Sequence, residues 1–168
     1  CVVVAEEGKL HIKVLLKRGK DMRHLDEVDK KIISILQKNA RTPLKEIASE
    51  VFMSSPSVSA RLENLEKEGI ITGYHAKVNP LLLNYHIKAF INLEVDPKEK
   101  PVFYPFIQSV PNVVECNCVT GDYSMLIETY FETTAQLDHF INELQQFGRT
   151  KTQIVFSTSV DKREVPIM

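Results

Sequence analysis

Three helix starts fall close together between Asp26 and Gly69, and no alternating strand pattern separates them. Asp26 is a side-chain cap for a segment whose apolar residues Val28, Ile32, Ile35 and Leu36 recur at spacings of three and four. This helix is expected to end near Asn39. Thr42 followed by Pro43 reads as a second start, with Leu44, Ile47, Ala48 and Val51 as its apolar stripe. Ser55 followed by Pro56 reads as a third, carrying Val58, Leu62 and Leu65 on one face until Gly69 stops it. Ile70, Ile71, Tyr74, Ala76 and Val78 then suggest a short extended excursion ending at Pro80. Such short elements bury an apolar stripe only against one another, so residues 22–80 are constrained to a compact helical unit.

The second and third helices, tightly joined, have the layout of a helix-turn-helix. The turn Val51-Phe52-Met53-Ser54 is expected to bury its apolar residues. With Val58, Leu62 and Leu65 inward, the helical period turns Ser57, Ala60, Arg61 and Asn64 outward. That face is small and polar. Arg can bridge O6 and N7 of guanine and Asn can pair with adenine, so its chemistry suits a major groove. Ser54 and Ser55 offer hydroxyls at the helix start, and Arg41, Lys45, Lys67 and Lys77 are placed to lie along phosphates. The competing reading is a small bundle whose polar face is merely solvated.

Charge narrows the choice only locally. Residues 1–21 hold five Lys/Arg against three Asp/Glu, residues 22–80 nine against eight, and residues 81–168 seven against eleven. A generally cationic nucleic-acid coat is excluded, and a local basic face is not. No apolar run approaches the roughly 18 residues that span a bilayer. With three cysteines in no disulfide framework, the expectation is a cytoplasmic protein without membrane partners. The chain begins at Cys1, and the basic stretch Lys17-Arg18-Gly19-Lys20 stands just ahead of Met22. Residues 1–21 are therefore read as an extension upstream of a translation start at Met22, with a basic arm touching DNA backbone as the alternative, and Leu10, Ile12 and Val14 would suit one short strand.

Residues 81–168 change character. Ile87, Ala89, Ile91, Leu93 and Val95 alternate with polar neighbours as in a half-buried strand. Val102, Phe103, Phe106, Ile107 and Val110 follow at helical spacing, interrupted by Pro105, so this helix is expected to begin late or kink. Val113–Thr120 and Tyr123–Phe131 read as hairpin partners across a tight Gly121-Asp122 turn. Thr133 with Gln136 makes a capping box ahead of Leu137, Phe140, Ile141, Leu144 and Phe147. Gly148 ends that helix, and Thr150–Val160 reads as the last strand. The order is βαββαβ, a ferredoxin-like layout. Its uncovered sheet face, carrying Phe90, needs a cover, and a second copy of the chain supplies one in a homodimer. Cys116 and Cys118 read as buried structural cysteines, and no metal-ligand spacing or cofactor motif is present.

Several fragments, in order, resemble one family: Leu25-Asp26-Glu27-Val28-Asp29-Lys30-Lys31-Ile32, Leu36 to Arg41, Glu46-Ile47-Ala48, Ser55-Pro56-Ser57-Val58, Arg61-Leu62, Leu65-Glu66, Glu68 to Tyr74, and Val119-Thr120-Gly121-Asp122-Tyr123. They resemble the Lrp/AsnC, or feast/famine, transcriptional regulators over about residues 25–165. The resemblance implies an α+β protein, an N-terminal winged helix-turn-helix followed by a ferredoxin-like βαββαβ regulatory domain. It implies double-stranded DNA as partner, assembly of dimers into higher even-numbered homo-oligomers, and an amino-acid effector bound between dimers. The implied effector residues are Gly121, Asp122, Tyr123 and Ser124, with Thr150 and Thr152 on the last strand. No cofactor is implied. Phe52 stands where the family often has a turn Gly, Ser124 stands where it commonly has Asp, and the Gly-Val stretch before the last strand is shortened. Two alternatives accompany this reading. One is a ligand-independent architectural DNA-binding protein. The other is an enzyme similar to the siroheme decarboxylases, which share this fold but need cationic and His groups; only His86 and His139 lie in the acidic second half.

Overall fold

A computed structural model describes the backbone of residues 2–6 and 9–13, and residues 24–167. The expected start at Met22 and the basic stretch before it lie outside the described residues. Val2–Glu6 (β1) and Lys9–Lys13 (β2) pair antiparallel, with Val4 opposite His11. The chain then divides into two compact units. Residues 24–77 group with residues 162–167, and Val78–Asp161 forms the other.

The helical unit contains Glu27–Lys38 (α1), Leu44–Glu50 (α2) and Ser55–Lys67 (α3). Asp26 caps α1, its Oδ1 accepting from the Asp29 N–H at 2.8 Å, and Asn39 ends the helix. The other two starts each fall one residue from the sequence expectation. Pro43, in extended geometry, is itself the cap of α2 without a side-chain bond, and the Thr42 hydroxyl donates to the Asn39 carbonyl instead. Ser54, not Ser55, caps α3 and accepts from the Ser57 N–H. Ile32, Ile33, Ile47, Ala48, Val51, Val58 and Leu65 make the core, which the C-terminal segment completes: Ile167 packs against it, and Gln37 donates to the Val165 carbonyl.

The turn departs from expectation at Phe52. Its side chain is 93% exposed and its φ is 55°, so a phenylalanine occupies the left-handed region that favours glycine. Gly69 (φ 73°) ends α3 as expected. Residues 72–79 form no strand among the described residues, although the Tyr74 hydroxyl ties the segment to Glu66 at 2.8 Å. The wing is thus an irregular segment.

In the second unit a short 3-10 turn, Pro80–Leu83, leads into Ile87–Val95 (β3), Lys100–Ser109 (α4), Val113–Cys118 (β4), Met125–Phe131 (β5), Thr134–Gln145 (α5) and Gly148–Ile154 (β6). The sheet order is β4-β5-β3-β6, all antiparallel, which is the ferredoxin-like arrangement. Ala89, Ile91, Leu93 and Val95 pack with Phe103, Ile107, Leu137, Phe140 and Leu144 into one core. The Phe103 and Phe147 rings meet edge-on at 5.5 Å within it. The Thr133/Gln136 capping box is present. The helix α4 begins at Lys100 and includes Pro105, neither late nor broken. Cys116 and Cys118 face the helix side, opposite Ile127 and Met125, yet Cys118 is exposed because β4 is an edge strand. The first residue of β6 must be glycine. Gly148 has φ 151°, and a Cβ there would come within 1.8 Å of the Glu94 carbonyl oxygen.

Candidate nucleic-acid interface and effector site

The face of α3 left open by Val58 and Leu65 carries Ala60 and Asn64, both exposed, and Ser57, half-buried. Ser54 Oγ lies 2.8 Å from Ser57 Oγ, which ties these hydroxyls together at the first turn. Ser55 occupies the first helical position. Arg41 and Lys45 are exposed and form no ion pair among the described residues. Glu63 pairs with Lys67 at 3.7 Å and Glu66 accepts from Tyr74, so two of the acids near this surface are engaged.

Arg61 is placed differently from the outward position its helical period predicts. Its Nη1 donates to Asp26 Oδ2 and to Asp29 Oδ1, both at 2.7 Å. Asp29 is 0% exposed. The side chain is long enough to leave its own face and clamp α3 to the start of α1. Hydrogen bonds from the Asp29 backbone and the Arg61 guanidinium hold the Asp26 carboxyl below the usual range, and the two carboxylates push Arg61 higher still.

In the second unit the helix-free sheet face carries Lys88, Phe90, Asn92 and Glu94 from β3, Leu126, Glu128 and Tyr130 from β5, and Arg149, Lys151 and Gln153 from β6, as the register requires. Lys88 pairs with Glu128 at 2.8 Å and lies over the Phe90 and Tyr130 rings at 5.2 and 5.5 Å. Burial alone would lower the Lys88 pKa, but the bonds to Glu128 and Tyr130 prevail and raise it.

Residues 119–124 form a six-residue connection between β4 and β5, not the tight two-residue turn expected from Gly121-Asp122. Ser124 explains the difference. Its hydroxyl accepts from the Val95 N–H at 2.9 Å and donates to the Leu93 carbonyl at 3.3 Å, stitching the start of β5 to β3. An ionised carboxylate could accept the first bond but not donate the second. Gly121 (φ 115°) lets the loop curl back, and the Arg149 guanidinium stacks over the Tyr123 ring at 5.1 Å.

Loop and sheet border an open surface depression of about 340 Å³ lined by Asn92, Val119, Thr120, Asp122, Tyr123, Lys151 and Gln153. Of the residues expected to hold an effector, Asp122 and Tyr123 line it. Gly121 shapes the loop without lining the space, and Ser124 is occupied by β3. Thr150 and Thr152 stand opposite Leu93 and Ile91, which puts them on the helix side of the sheet. Lys151, Gln153 and Asn92 were not singled out in the sequence. Strand parity is the signal that finds them, because helix-side threonines at 150 and 152 force 151 and 153 onto the open face. Neither the Asp122 nor the Lys151 side chain has a hydrogen-bond or ion-pair partner among the described residues.

Among the described residues no helix is long and apolar enough to cross a membrane, and no group of three or more potential ligands could hold a metal ion.

Comparison with known proteins agrees with this architecture. Residues 25–72 match the winged helix-turn-helix DNA-binding model, and residues 88–165 match the Lrp/AsnC ligand binding domain. The HTH-type transcriptional regulator YezC of Bacillus subtilis is 37% identical over 135 residues, covering 80% of this chain and 96% of that protein. The structure of B. subtilis LrpC is similar with a TM-score of 0.79 at 28% identity, over 83% of this chain and 100% of that one. A transcriptional regulator of Neisseria meningitidis, crystallised as its L-Met complex, gives a TM-score of 0.80 at 25% identity, over 85% of this chain and 97% of its own. With both halves matched in order and relatives covered almost end to end, the chain belongs to the Lrp/AsnC family of helix-turn-helix, DNA-binding transcriptional regulators, which are not enzymes.

Proposed function

We propose that this regulator binds specific DNA sequences through the open face of α3 and responds to a free amino acid held between the 119–124 loop and the sheet. The observation that carries the effector reading is the pair of opposite, unpartnered charges, Asp122 and Lys151, on one concavity of about 340 Å³. A zwitterion satisfies both: the carboxylate is positioned for its ammonium and the Lys151 ammonium for its carboxylate. The methionine bound by the Neisseria relative supports the ligand class.

On the DNA side, Asn64, Ala60 and Ser57 present short groups to base edges, Ser54 and Ser55 sit at the helix start, and Arg41 and Lys45 supply phosphate contacts. Arg61 acts from behind this surface by fixing α3 on α1. A second copy covers the Phe90, Leu126 and Tyr130 side of the sheet, and such a two-fold dimer offers its recognition helices to half-sites about 34 Å apart or a multiple of that. Dimers assemble further into even-numbered oligomers. The concavity opens on that same sheet face, so the second copy borders it, and an effector held there biases the assembly equilibrium by as much as its affinity differs between the assembled states.

Titration of the full chain with a mixture of the standard amino acids, followed by calorimetry and by DNA-binding anisotropy, tests the reading. Heat and a shift in DNA affinity are expected, both lost in Asp122→Ala. Absence of heat with every amino acid would remove the effector assignment while leaving the DNA-binding one.

A further inference from the structure

Cys116 and Cys118 belong to neither site described above. They are free thiols on the helix side of β4, so a second copy over the open sheet face does not cover them. Residues i and i+2 of one strand stand about 6.7 Å apart on a common face. A disulfide needs Cβ atoms about 3.5–4.5 Å apart, so this pair cannot close one without moving the backbone. Burial, and then the neighbouring Cys118, push the Cys116 thiol up to about 11, which makes it a poor thiolate for disulfide exchange. The spacing suits a different chemistry. A metal–thiolate bond is about 2.3 Å, so a linear sulfur–metal–sulfur unit spans about 4.6 Å. Each thiol reaches that span by leaning inward about 1 Å, a change of rotamer rather than of backbone.

The surroundings choose the ion. No third His, Cys, Asp or Glu joins the pair among the described residues, so tetrahedral zinc and the oxygen-seeking divalent ions find too few donors. The next donor is another sulfur. Met125, fully buried, is the cross-strand partner of Cys118. The Val119 N–H donates to the Ser124 carbonyl at 2.9 Å. By alternation, residues 118 and 125 are then a non-hydrogen-bonded pair, the kind that brings side chains closest. Two thiols and a thioether are soft donors, and a monovalent closed-shell ion that accepts linear two-fold ligation is their match. Cys118 is exposed and gives such an ion its way in, while Cys116 is half-buried.

We propose that Cys116 and Cys118 bind Cu(I) between their thiolates, with the Met125 thioether beside it. Binding displaces both thiol protons. Cys118 directly precedes the 119–124 loop and Met125 directly follows it, so the ion ties together the two ends of that loop.

The test is Cu(I) titration of the reduced full chain against a chromophoric Cu(I) chelator. It is run on Cys1→Ser, which leaves the strand pair as the chain's only cysteines. One equivalent of Cu(I) per chain is expected to be withheld from the chelator, and zinc is expected not to be retained. Cys116→Ser and Cys118→Ser, each made in that background, are expected to lose the ion; Cys118 is exposed, so its replacement leaves the core untouched. Met125→Leu, close in volume, is expected to weaken retention about tenfold. No ion withheld, half an equivalent shared between two chains, or retention unchanged in Cys118→Ser would overturn the site. Zinc held as tightly as Cu(I) would overturn the choice of ion, and unaltered retention in Met125→Leu would overturn the thioether's part.

Discussion

Arg61 separates two accounts of the helical unit by magnitude. If its guanidinium read a base, Arg61→Ala would cost about 1–3 kcal/mol of sequence discrimination and leave stability within about 0.5 kcal/mol. The geometry demands another outcome. Nη1 bridges Asp26 and Asp29, and Asp29 is 0% exposed while Arg61 keeps 25% of its side-chain exposure. Removing one partner of a buried ion pair costs about 3–5 kcal/mol where the remaining charge is left uncompensated, and Asp29 keeps a further interaction that offsets part of this. Asp29 lies in the first turn of α1, where the helix dipole recovers a fraction of that. The expected loss is therefore about 2–4 kcal/mol, or a fall of at least about 8 °C in Tm for a unit this small. Thermal unfolding followed by far-ultraviolet circular dichroism measures it directly. Both bonds run through a single nitrogen, so Arg61→Lys can re-form part of the bridge and should recover roughly half of the loss. A Tm for Arg61→Ala within about 2 °C of the parent, together with selective loss of one base preference, would refute the clamp.

The remaining expectations concern single sites. Phe52→Gly relieves a left-handed phenylalanine that contributes almost no burial, and should raise stability by about 0.5–1 kcal/mol in chemical denaturation; a decrease would mean that the turn is not strained. Gly148→Ala drives a methyl into the Glu94 carbonyl and should cost about 3 kcal/mol or more, with an unchanged midpoint contradicting the close approach. The Asp26 carboxyl, titrating below its unfolded value of about 3.9, contributes stability that is fully present above that pH and is lost as pH falls through the folded value. An acid titration of stability should therefore drop less steeply below about pH 4 in Asp26→Asn, and identical acid limbs would contradict the pairing.

Elements bounded by a capping chemistry were legible in the sequence. Asp26 and the Thr133/Gln136 box sit where expected because each side chain has one nearby backbone N–H to satisfy. The βαββαβ order followed from alternation in β3 and from helical spacing in α5. Starts with two adjacent candidates slipped by one residue, since Ser54 and Ser55 offer the same hydroxyl and Thr42 found a carbonyl at Asn39 instead. The candidate effector site was half legible. Asp122 and Tyr123 lie on the loop that the Gly121 signal marks. Ser124, Thr150 and Thr152 do not line the concavity, because pairing register and strand parity, properties of the assembled sheet, decide which way they face. Arg61 escaped helical-wheel reasoning for a different cause: its reach exceeds its face, and the two acids that capture it lie on another helix.

Coupling between the concavity and DNA is read by a nuclease footprint. Nuclease protection of the DNA upstream of the protein's own gene would be compared for the full chain and for Asp122→Ala, with and without mixed amino acids. Discrete half-sites are expected, with occupancy that changes with the amino acids for the parent chain and stays fixed for the variant. Continuous protection indifferent to sequence and to amino acids in both would contradict it, and would favour an architectural DNA-binding role.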